Sequence, residues 1–191
     1  MTQRFPWWLG ALGGTFLVVA GGIVWASLHR PSPPTFAPTP GGAVPAGEDD
    51  GGRRVTLDAR DGESWVRVEL ASGRISGDGS GPDWDLAARR FHVVANGGDP
   101  LPGDARVAPA GDRPMEALRA PPDTGWAGTV EDGGQLRHPV LEDWYRYDFF
   151  SHLLLARPRT YVLRGSDGRH WAVRFLSYYC PPPYLAGCSQ A

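Results

Sequence analysis

Apolar positions along this chain fall into two regimes. From Phe5 to Leu28 no residue is charged, and Arg4 and Arg30 bracket the run. As a helix it spans roughly 36 Å at ~1.5 Å per residue, enough to cross a hydrocarbon layer ~30 Å thick. Trp7 and Trp8 sit at one end and Trp25 at the other, where an aromatic belt meets the two interfaces. Beyond residue 54 the apolar period shortens to two. Residues 64–70 alternate and are followed by a turn at 71–74, and Phe91 to Ala95 is a short β run ended by Asn96-Gly97-Gly98. Residues 161–164 and 170–178 flank Ser166-Asp167-Gly168-Arg169, and Asp-Gly between two β runs predicts a hairpin. In its second arm Trp171, Val173 and Phe175 share one face and Arg174 takes the other. Residues 99–135 read as loops with one helical turn near Met115 to Leu118. Residues 142–156 fit either a short helix or a strand pair. The expected fold is mainly β and antiparallel, with one N-terminal transmembrane helix.

The apolar run exceeds the ~7–15 residues of a signal-peptide core, so a retained span is expected over a cleaved leader. Gly10 and Gly14 form a small-xxx-small pair, and Gly21 falls on nearly the same face seven residues later. Small residues let helices approach closely in lipid, so Gly10, Gly14 and Gly21 are expected to pack on other helices. Trp7, Trp8 and Trp25 are the expected membrane-interface residues. Arg4 leans the N-terminus to the cytoplasm and the remainder to the periplasm of a bacterial inner membrane.

Six prolines between Pro31 and Pro45 mark a linker. In polyproline II form this arm reaches roughly 45 Å at ~3.1 Å per residue. Pro33, Pro34 and Phe36 are expected to lie on a partner surface. Three segments result: an anchor helix at 1–30, an extended linker at 31–54 and a β domain at 55–191.

Composition narrows the function. There are 26 Gly and 19 Pro among 191 residues, which favours turns and a linker over a helical bundle. A net charge of −2 excludes a strongly basic nucleic-acid binder. All 19 basic residues are Arg, so no lysine can form a Schiff base. Two cysteines cannot build a four-thiolate metal site. Cys180 and Cys188 instead suggest a small disulfide-closed loop, which persists in a periplasm, with two free buried thiols as the alternative. Trp144, Tyr145, Tyr147, Phe149 and Phe150 crowd one stretch. Aromatic side chains fill β cores and anchor interfaces, and the expected contacts are Trp144 and Tyr145, with Tyr184 in the Pro-rich tail.

The segment Trp84-Asp85-Leu86-Ala87-Ala88-Arg89-Arg90 followed by Asn96-Gly97-Gly98 resembles the HmuY-like family of bacterial envelope proteins. So does Tyr161-Val162-Leu163-Arg164 with Asp167-Gly168 and Phe175-Leu176-Ser177-Tyr178-Tyr179. The likeness spans roughly residues 66–179 and implies an all-β domain. Founding members carry haem between two side chains, histidines in the best-known case. Here His92, His138, His152 and His170 are available, and no pair of them is matched to the family's ligand positions; His138 looks like a loop residue, and His152, beside Phe149 and Phe150, is the best lone candidate. The N-terminal helix departs from the family's lipoprotein attachment. No Cys-x-x-Cys-His occurs, so covalent haem attachment is excluded.

Paired carboxylates at Asp83 and Asp85 read as turn capping or Arg partners rather than acid–base catalysts. Glycine pairs lack the Lys-Ser/Thr of a phosphate loop. The expected function is therefore non-catalytic and cofactor-free. The chain is read as a single-pass subunit that docks on and stabilises a larger bacterial membrane complex, with the other subunits and lipid as partners. A photosynthetic reaction-centre and light-harvesting assembly is the specific expectation, although a respiratory or transport complex fits the residues equally well. The alternative is a tethered periplasmic haem-binding protein.

Overall fold

The computed structural model describes residues 7–39, 52–77 and 83–181. Helix α1 covers Trp7–Leu28, and the His29 N–H closes its last turn on the Trp25 carbonyl at 3.0 Å. It is long and apolar enough to cross a membrane, and none of its span is buried among the described residues.

The remainder is built from short antiparallel strands. Strands β1 (Val66–Glu69), β2 (Arg74–Ser76), β3 (Leu86–Arg89) and β4 (His92–Ala95) form one sheet in the order β2-β1-β3-β4. A ribbon of β5 (Gly97–Gly98) and β6 (Leu101–Asp104) leads into β7 (Arg106–Gly111). Hairpins β8 (Val130–Asp132) with β9 (Gln135–Arg137), and β10 (Tyr145–Asp148) with β11 (Leu153–Ala156), follow. Finally β12 (Thr160–Arg164) and β13 (His170–Arg174) join β7 in a three-stranded sheet ordered β13-β12-β7.

Alternation places Val68, Leu86, Ala88, Val93 and Ala95 of the first sheet against Val107, Tyr161 and Leu163 of the second. Trp171, Val173 and Phe175 pack on this core from one face of β13 and its extension, as their spacing predicts. The Ser166-Asp167-Gly168 turn joins β12 to β13, with Gly168 at φ 79°. Ala87 and Val94 point the other way and bury a smaller cluster with Trp84.

Buried polar groups lock the strands in register. Asp85 donates its N–H to the Val68 carbonyl at 2.9 Å and receives the Asn96 N–H at 2.9 Å. Its carboxylate accepts the Leu70 N–H at 2.8 Å and is reached by the Ser166 N–H. Burial pushes this carboxyl above the ordinary carboxylate range against the opposing pull of those two amides. Asn96 donates from Nδ2 to the Trp84 carbonyl at 2.9 Å. Thr129 accepts the Ala95 N–H at 3.1 Å and donates back to the Ala95 carbonyl at 2.6 Å. Gly98 (φ 101°) and Gly103 make room for this web: a Cβ would strike the Thr129 carbonyl at one and the Asn96 carbonyl at the other.

Three sequence expectations change. Residues 106–111 form a strand although they read as loop. Pro109 and Gly111 hide it, and Pro is tolerated because β7 is an edge strand of its sheet. Residues 142–156 hold both options, a 3-10 turn at Leu141–Trp144 and then the β10–β11 pair. The start of the linker lies on its own domain: Phe36 N–H bonds the Tyr179 carbonyl at 3.1 Å, and Thr39 N–H bonds the Thr56 carbonyl at 2.9 Å. The Arg54 guanidinium covers the Phe36 ring at 5.0 Å.

Asp85→Ala strands two backbone N–H groups inside the protein, at about 1–3 kcal/mol each. Guanidinium unfolding of the detergent-solubilised chain is expected to show a loss of about 2–4 kcal/mol. A loss below about 0.5 kcal/mol, the scatter of an ordinary surface change, would mean that the carboxylate does not tie these segments.

Candidate functional site

Two surfaces of the β domain stand out. The first is an open groove of about 470 Å³ between β4, β9 and the 3-10 turn, lined by Phe91, His92, Leu136, Arg137, His138 and Tyr145. His138 forms its floor: it lies in the loop after β9, as its Pro139 neighbour suggests, and is wholly buried there. Its Nδ1 accepts the N–H groups of Val140 and Leu141, each at 3.3 Å. The proton therefore sits on Nε2, which is buried near the Ala127 backbone without a hydrogen bond of ordinary geometry. Burial drives the His138 pKa down to about 4, against hydrogen bonds that favour the proton. His92 is half-buried on the wall, packed on Phe91 at 4.3 Å, and burial lowers its pKa too. At the rim Arg137 pairs with Glu142 at 3.4 Å and Asp132 at 3.7 Å, contacts worth under ~1 kcal/mol in solvent.

The second surface is the tip of the β10–β11 hairpin. Asp148 pairs with Leu153, leaving a four-residue loop of Phe149, Phe150, Ser151 and His152. The Asp148 carboxylate caps it, accepting the Ser151 hydroxyl at 2.7 Å and the Phe150 N–H at 3.3 Å. The Ser151 bond is the main reason the Asp148 carboxyl sits below its ordinary range. His152 turns at φ 56°, and its Nδ1 meets the Tyr147 hydroxyl at 2.5 Å. These bonds hold Phe149 and Phe150 outward, 71% and 58% exposed, edge to face at 5.8 Å. Elsewhere among the described residues outside α1, large hydrophobic side chains are exposed at Val130 and Leu176, with Tyr147 beside this tip.

The residues singled out by sequence are scattered. Trp144 is a core residue, 3% exposed, donating to the Phe91 carbonyl at 2.8 Å, and so is no contact surface. Tyr145 packs on Phe91 and Trp144 and lines the groove. Phe36 is half-covered by its own domain, and Pro33 and Pro34 precede that docking point. Gly10, Gly14 and Gly21 lie along α1 with no atom within 4 Å of an added Cβ. Trp8 and Trp25 are exposed near the two ends of α1, and Trp7 begins it. Cys180 is buried and disulfide-bonded, while Cys188 and Tyr184 lie outside the described residues. Sequence reasoning marked the aromatic stretch but chose its buried start over its exposed tip. The missed signal is Phe149-Phe150 inside a turn between two pairing runs.

Haem of the two-histidine kind does not fit this arrangement. His138 spends its only acceptor nitrogen on backbone amides, so it offers the groove no free lone pair. His152 faces Tyr147, His170 meets Trp126 edge to face, and His29 stacks on Trp25. His92 lines the groove packed on Phe91, and the one other histidine lining it, His138, has its acceptor nitrogen taken, so a second histidine ligand is not assembled there.

No family model matches the chain, and no curated protein matches it. Among solved structures, the apo HmuY analog of Tannerella forsythia is 16% identical, with a TM-score of 0.51 over 62% of this chain and 82% of that one. A candidate HmuY-like heme-binding protein of Bacteroides vulgatus is also 16% identical, with a TM-score of 0.47 over 62% and 78%. A candidate lipoprotein of Bacteroides fragilis is 22% identical, with a TM-score of 0.48 over 64% and 79%. At these identities the likeness is one of fold, and the Tannerella structure carries it: the β domain has an HmuY-like fold.

His138 predicts a specific acid sensitivity. Its pKa is lowered on folding, so its stabilising contribution is complete above the unfolded value of ~6.5 and is lost as pH falls towards about 4. Unfolding curves taken at steps from pH 7 to pH 4 should show a loss of roughly 3 kcal/mol that His138→Gln largely abolishes. Identical slopes in the two proteins would place an ordinary, solvated imidazole at this position.

Proposed function

We propose that this chain is a non-catalytic binding protein of the bacterial envelope, tethered by α1 to the inner membrane with its β domain in the periplasm. Its work is to dock on a larger membrane complex. The observation that carries this reading is α1 itself: 22 uncharged residues with a glycine face that none of the described residues covers. In lipid such a face is satisfied by another helix, because burial of apolar surface alone gives no drive there. The hairpin tip and the docked arm supply exposed, pre-organised surface on the β domain. A disulfide joining Cys180 to Cys188 fits the periplasmic side. A photosynthetic reaction-centre and antenna assembly belongs to the class of complex proposed, as do respiratory and transport complexes.

Mild detergent solubilisation of native membranes, followed by native sizing and mass spectrometry, tests this. Co-migration with a much larger assembly is expected, weakened by Gly10→Leu with Gly14→Leu. Recovery as a free monomer under the mildest conditions would end the docking role.

Haem binding is the second reading, favoured by the HmuY-like fold and by His92 with Phe91 and Tyr145 in the groove. It would use His92 as a single protein ligand. Titrating the purified chain with haemin should then give a Soret band that His92→Ala removes. An unchanged haemin spectrum on adding protein rules this reading out.

A further inference from the structure

Tyr179 joins two features that the sequence keeps far apart. Its backbone carbonyl receives the Phe36 N–H of the arm leaving α1, and its hydroxyl receives the Leu154 N–H of β11 at 2.8 Å. The exit of the tether and the β10–β11 hairpin therefore share one corner of the domain. From Leu28 to Phe36 the chain can extend no more than about 29 Å, and from Leu154 back to Phe150 about 14 Å. The two phenylalanines thus ride on the hairpin that adjoins the point where the tether meets the domain.

We propose that the Phe149–Phe150 tip is a second membrane contact, inserting into the interface of the same bilayer that α1 spans. This rests on the membrane-spanning reading of α1. The tip has the chemistry of an interfacial insert. Two phenyl rings lead, with the Tyr147 hydroxyl and the Arg146 side chain behind them at headgroup level. Asp148, Ser151 and His152 hold the loop in shape before contact, so little ordering entropy is lost on insertion. Burying two phenyl side chains contributes enough to hold a domain already tethered nearby, though not enough to recruit a free one. The domain would then be seated against the membrane at two points, the arm and the tip.

Nitroxide labels on the full chain in phosphatidylethanolamine–phosphatidylglycerol vesicles test this at three positions: Val18→Cys, Phe150→Cys and Glu131→Cys. Glu131 lies in the separate β8–β9 hairpin and reports the water-exposed domain. The Phe150 label is expected at a depth of about 5–10 Å, with oxygen collisions about threefold above those at Glu131 and reduced access to a water-soluble nickel complex. Phe149→Ser should bring that label back out. A Val18 label in hydrocarbon with the Phe150 label in water overturns the proposal and leaves the span standing. A Val18 label in water removes both. A Phe150 label that is shielded only in native membranes, and exposed in plain lipid, assigns the tip to a protein partner and also overturns the proposal.

Discussion

The β domain depends on satisfying polar backbone in a small space. Its strands are two to six residues long, too short for ladder bonds alone to fix register. The web of Asp85, Asn96 and Thr129 supplies what is missing. Asp85 reaches β1, the segment before β5 and the β12–β13 turn through four hydrogen bonds. Each bond joins segments distant in sequence, so the two sheets cannot slide independently. A buried carboxylate is costly unless its oxygens are met, and here amides from two sides meet them. Specific pairing, rather than apolar area alone, decides which strands meet.

That constraint explains the density of glycine around residues 97–103. Backbone from three directions converges there, and a side chain on Gly98 or Gly103 would occupy the space of a carbonyl.

What could be read from sequence followed how far each feature depends on distant contacts. An uncharged run bracketed by arginines needs no tertiary context, and α1 matches it. The β12–β13 hairpin carries its own period and its own Asp-Gly turn. Strand β7 could not be seen, because Pro109, two alanines and Gly111 become a strand only against β12. The burial of His138 was equally hidden: its environment is made by Val140, Leu141 and Ala127, and nothing in His-Pro announces it. Trp144 and Phe149 look alike on paper. Only the 3-10 turn, which rotates the first into the core, and the tight loop, which turns the second out, separate them.

The bond between Phe36 and Tyr179 changes the nature of the leash. A free linker running to residue 54 would let the domain sweep a hemisphere many tens of ångströms in radius. Pinned at Phe36, only the stretch from His29 to Thr35 can swing, and its prolines stiffen it. With α1 in a bilayer, as proposed above, a shorter, stiffer leash would confine the same molecule to a far smaller volume and raise its effective concentration towards nearby surfaces to about the millimolar range. Affinities too weak to matter between free molecules become sufficient for one held this close.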